Sequence, residues 1–88
     1  MDKYAEAREV INKMADVKMT MNAHKGNIED LHPSEILALL RGEVNELDQA
    51  ASEGTEAELM HIIEEAADCQ NFLIALVHQQ VELYRGRK

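Results

Sequence analysis

Eighty-eight residues allow a single domain, and a chain of that length buries only a modest share of its surface when it folds alone, so a further source of burial is expected. The net charge of −8 excludes the basic surface that nonspecific nucleic-acid binding needs to displace counterions, and no apolar run reaches the roughly 18 residues of a membrane span. The lone Cys69 excludes an internal disulfide or a zinc-knuckle set; within an apolar helical pattern it reads as a small core hydrophobe.

Ala, Leu, Glu and Met abound while Gly, Pro and aromatic residues are scarce, which favours helix throughout. The start, Met1-Asp2-Lys3-Tyr4, has no apolar signal core, so a cytoplasmic protein is expected. From about Asp2 to Ala23, Ala7, Val10, Ile11, Met14, Val17 and Met21 recur at spacings of three and four and predict a first amphipathic helix, which Gly26 ends. Asn27 to Leu31 is polar connection. Pro33 suits the first position of a second helix and Glu35 its first turn, and Ile36, Leu37, Leu40, Val44, Leu47 and Ala51 form its apolar stripe. Ser52-Glu53-Gly54-Thr55 stops that helix, and Thr55 with Glu58 has the pattern of a capping box. The third helix is predicted from about Glu56 to Tyr84, with Leu59, Ile62, Ile63, Ala66, Cys69, Leu73, Leu76, Val77 and Val81 on its apolar positions. It outruns its partners, so part of it is expected to pack on another subunit.

Most acidic residues on a helix belong to a solvated face, and that is the default for this chain. Four resist it. At about 100° per residue, Ile36, Leu39, Leu40 and Leu47 fall within about 60° of Glu43, and Ile62, Cys69, Phe72 and Leu76 within about 60° of Glu65. Glu46 and Asp68 border the same two arcs. Unpartnered buried carboxylates cost several kcal/mol, and acids at i, i+3 repel each other, so both pairs need cations. The second helix offers only Arg41 and the third none before Arg85. A divalent metal satisfies all four, and all-oxygen ligands without a Cys/His cluster favour Mg²⁺ or Mn²⁺ over zinc. On the first helix, Lys18, Asn22 and Lys25 share a face at i, i+4 and i+7. A lysine in an apolar stripe commonly snorkels to water. Beside a carboxylate metal site it also suits a phosphate, and Asn71 of the third helix is counted with this set.

Glu43-Val44-Asn45-Glu46, eighteen intervening residues and Glu65-Ala66-Ala67-Asp68 resemble the ExxE…ExxD signature of the MazG-like all-α nucleoside triphosphate pyrophosphohydrolases. The segment from Lys18 to Gly26 is similar to the stretch before the first motif in short, phage-type members, and the likeness covers about Lys18 to His78. It implies one helical-bundle domain over residues 1–88 that cleaves a (deoxy)nucleoside triphosphate between the α- and β-phosphates. Glu43, Glu46, Glu65 and Asp68 would hold catalytic Mg²⁺, and the chain would assemble as a homodimer or a dimer of dimers. Gly42 stands where many members carry a further Glu, and Asn27 where an aromatic is common; these departures bear on rate and on base preference.

Two other classes compete with the enzyme. A non-catalytic helical interaction protein needs nothing beyond an acidic bundle. A ferritin-like di-metal protein needs two Glu-x-x-His pairs on helices; Glu58 with His61 is one, and the other, Glu29 with His32, abuts Pro33 in the connection. His24, His32, His61 and His78 otherwise read as surface or interface residues.

Overall fold

A computed structural model describes residues 2–23, 26, 28–53 and 56–86, and these are all helical or connecting: α1 (Ala5–Met21), a 3₁₀ turn (Ile28–Asp30), α2 (Pro33–Glu53) and α3 (Glu56–Gly86). No strand occurs among them, and no helix among them is long and apolar enough to cross a membrane. Thr55, Asn27, His24 and Lys25 lie outside the described residues, as does the carboxylate of Glu58.

Helix α1 begins at Ala5, three residues later than its apolar pattern predicts, and its N-cap residue Tyr4 makes no side-chain capping bond. Just before it, one Asp2 oxygen accepts from the Tyr4 N–H at 2.9 Å, a local turn, and the other from Arg8 at 2.7 Å. At the far end the Asn22 N–H donates to the Lys18 carbonyl at 3.0 Å, and Gly26 takes φ 95°, where a side chain would be strained. Pro33 opens α2 as expected. The residue before it supplies the cap: His32 Nδ1 accepts from the Ser34 N–H at 3.1 Å, while Glu35 reaches back to the His32 N–H at 3.2 Å. This is the reciprocal logic of a capping box with an imidazole in place of a hydroxyl.

Helix α3 is the axis on which α1 and α2 both pack. Helix α2 runs antiparallel to it, since Gln79 of α3 donates to the Leu31 carbonyl just before α2 while Glu46 near the other end of α2 meets Glu65. The buried positions on α2 are Ile36 and Ala50, with Leu40, Glu43 and Leu47 half-buried on the same line. Val44 and Ala51, expected on that stripe, are exposed; the line that faces α3 is rotated by one residue and runs through Glu43. On α3 the deepest line is Ala67–Asn71–Ala75, not the larger apolar residues of the predicted stripe. Small side chains let three backbones approach closely, and Ala15 does the same for α1. Leu59, Leu73, Val77 and Val81 remain exposed on α3, as do Val10, Val17 and Met21 on α1.

Candidate functional site

The i, i+3 spacing of Glu43 and Glu46 on α2, and of Glu65 and Asp68 on α3, nearly one turn each, places both members of each pair towards the neighbouring helix. One oxygen from each of Glu43, Glu46 and Glu65 lies within 4.8 Å of the others. Oε2 of Glu43 and Oε2 of Glu65 are buried without a hydrogen-bond partner, a condition worth several kcal/mol if the groups stay charged. Asp68, one turn along α3, borders the set and raises the proton affinity of Glu43 and Glu65 through its charge. Burial first, then the charges of Glu46 and Asp68, push the Glu43 carboxyl up to about 7, and burial likewise raises that of Glu65. Three hard oxygen donors within 4.8 Å of one another, two of them from carboxylates with an unpartnered buried oxygen, fit a divalent cation of the Mg²⁺ or Mn²⁺ type. The group contains no histidine among the described residues, which sets it apart from a Glu-x-x-His di-metal centre.

Two of the four acids nevertheless have local partners. Lys18 Nζ of α1 stands 3.5 Å from Asp68 Oδ2, with the two side chains 22% and 18% exposed. His61 Nε2, one turn before Glu65, lies 3.2 Å from Glu65 Oε1. Asp68 is thus met by a cation from α1, and Glu65 by a ring nitrogen of α3. The His61 contact was readable as an i, i+4 spacing; the Lys18 contact needs the relative placement of α1 and α3.

Beside the acids opens a cleft of about 760 Å³ between the three helices and the connection, within the range of small-molecule sites. Lys18 of α1 and Asn22 at its C-cap, Glu43 of α2, and Asp68 and Asn71 of α3 line one part of it, and Leu39, Phe72 and Ile28 are among the apolar residues lining it. Of the predicted phosphate-facing set, Lys18, Asn22 and Asn71 are therefore together, while Lys25 lies outside the described residues. Asn71 also has a structural duty: its Nδ2 donates to the Ala15 carbonyl at 2.9 Å and ties α3 to α1. Gln70 does likewise through Asn12 Oδ1 at 2.7 Å. Glu46 and Glu65 do not line the cleft, so Glu43 joins the three-oxygen set to it. Cys69 is half-buried, and burial with the charges of Glu43, Asp68 and Glu65 pushes its thiol up, which leaves it a poor nucleophile. No protein-family model, curated protein or solved structure matches the chain.

Proposed function

We propose that the chain is a Mg²⁺-dependent nucleoside triphosphate pyrophosphohydrolase of the MazG-like kind, releasing the monophosphate and pyrophosphate. The observation that carries this reading is the convergence of two acidic motifs into three oxygens within 4.8 Å, at the edge of a cleft that also presents Lys18 and Asn22. Glu43, Glu46 and Glu65 would hold the cation, with Asp68 beside them. Mg²⁺ bound there supplies positive charge for the phosphates and makes water a better nucleophile near neutral pH. The residues do the rest. Lys18 offers an ammonium to a phosphate oxygen, Asn22 and Asn71 offer amide donors, and the apolar walls at Leu39 and Phe72 suit a base or sugar. One carboxylate accepts the proton of the water that attacks the α-phosphorus, and the bond to the pyrophosphate oxygen breaks. The working unit is a homodimer or a dimer of dimers.

A second reading, a non-catalytic helical interaction protein, draws support from the partners that Asp68 and Glu65 already have in Lys18 and His61. Pyrophosphate release from a panel of ribo- and deoxyribonucleoside triphosphates, with and without Mg²⁺, separates the two. The enzyme reading expects Mg²⁺-dependent release, heavy-oxygen label from water in the monophosphate, and loss of turnover in Glu65→Ala and Asp68→Ala with helicity retained. Label in the pyrophosphate would move the attack to the β-phosphorus; no release from any triphosphate would leave the interaction protein.

A further inference from the structure

Glu58 and His61 form half of a di-metal pattern in the sequence, yet the histidine has a definite relation to the acids. His61 precedes Glu65 by four residues on α3, so its ring lies one turn towards the helix N-terminus on the same face. Its Nε2 stands 3.2 Å from Glu65 Oε1. The glutamate is 12% exposed and the histidine 47%, so the ring closes the solvent side of a carboxylate whose other oxygen is buried and unpartnered. The terminal torsion of a carboxylate is broad, so the plane of the group is not fixed by the chain alone. A donor on one oxygen fixes that plane and leaves the second oxygen as the one presented inward. Ring nitrogens of metal-adjacent histidines and the carboxylates they hold are a recurrent pairing, and losing such a partner weakens metal binding by about 10- to 100-fold.

We infer that His61 is a positioning residue for Glu65, holding Oε1 so that Oε2 is presented to a divalent cation in the Glu43, Glu46 and Glu65 set. This rests on the metal reading of that set. The ring is not itself among the converging ligand atoms, so its role is to orient a ligand and not to be one. Neither Lys18, which engages Asp68, nor Arg41, exposed on α2, stands in its place.

Mn²⁺ titrated into the full chain, followed by calorimetry and electron paramagnetic resonance, tests the inference. The wild-type protein should bind Mn²⁺, His61→Ala should bind it about tenfold more weakly, and His61→Gln, whose amide can still donate to Glu65, should recover most of the loss. Metal-free melting of both variants should stay close to that of the wild type, since a half-exposed pair contributes little to folding. Equal Mn²⁺ affinity in wild type and His61→Ala would overturn the positioning role while leaving the metal site standing. A Mn²⁺-coordinated nitrogen signal that vanishes in His61→Ala would overturn it by making His61 a ligand. Absence of Mn²⁺ binding by the wild-type chain would overturn the metal reading itself.

Discussion

Glu43 occupies a place on α2 where the seam against α3 would otherwise take leucine, between Leu40 and Leu47 on the buried line. Burial and the neighbouring acids raise its pKa from 4.5 to about 7, and Glu65 moves in the same direction. An acid whose folded pKa lies above its unfolded value keeps the fold most stable when protonated. Its contribution is complete below about pH 4.5 and is lost as pH rises through 7. Metal-free protein should therefore melt about 5–10 °C lower at about pH 8 than at about pH 5. Circular dichroism in chelator reads this directly, and Glu43→Gln should flatten the profile and raise the melting point at the alkaline end. A melting point that rises with pH would show that the acids are compensated without metal. Lys18 supplies the matching test on the cationic side. Lys18→Ala should raise the Michaelis constant for triphosphate about tenfold, the worth of a charge-assisted hydrogen bond. It should also lower metal-free stability by leaving Asp68 without its partner. Lowered stability with an unchanged Michaelis constant would confine Lys18 to the ion pair.

At the scale of the helices, the existence, order and type of all three elements were legible from apolar spacing, because each stripe exceeds three turns and Pro33 punctuates the chain. The depth of individual positions was less so. Periodicity weights a residue by how apolar it is, whereas helix crossing selects by how small it is. Ala67 and Ala75 therefore take the centre of α3, while Leu73 and Val77 are left outside. Asn71 shows the same limit: a polar residue reads as surface or ligand-facing, yet its amide is buried because it meets the Ala15 carbonyl of another helix. Glu43 was legible for the opposite reason, since Ile36 stands seven residues before it on nearly the same radial line. The contact between Lys18 and Asp68 depends on how α1 crosses α3, which no single-helix pattern encodes. The His32 cap was missed because imidazole is not among the usual capping side chains, although the reaching-back Glu35 three residues on was in plain view.

For the molecule as a whole, surface area argues for a partner. The chain exposes 6683 Å² at 9.9 kDa, whereas a compact monomer of that mass exposes about 5200 Å². The excess has a structural source. Helix α3, with 31 residues, is about 46 Å long, and α2, with 21, is about 32 Å, so α2 cannot cover it end to end. Leu73, Ile74, Val77 and Val81 are left between 39% and 61% exposed, and α1 adds Val10, Val17 and Met21. At about 25 cal/mol per Å², covering several such side chains in the proposed homo-oligomer would contribute many kcal/mol, comparable to the whole stability of a small domain, and would make folding and association one equilibrium. A two-fold arrangement pairs identical patches with each other and repeats the acid cluster at two related positions. Light scattering at micromolar concentration should return two or four times the chain mass, and helicity should fall on dilution. Val77→Glu, which places a charge on the most exposed of these α3 positions, should shift the protein to monomer with reduced helicity, at a position about three turns along α3 from Glu65 of the three-carboxylate set. A monomeric mass with full helicity would require that the exposed α3 stripe is stable in water, and would remove association from the account of how this chain folds.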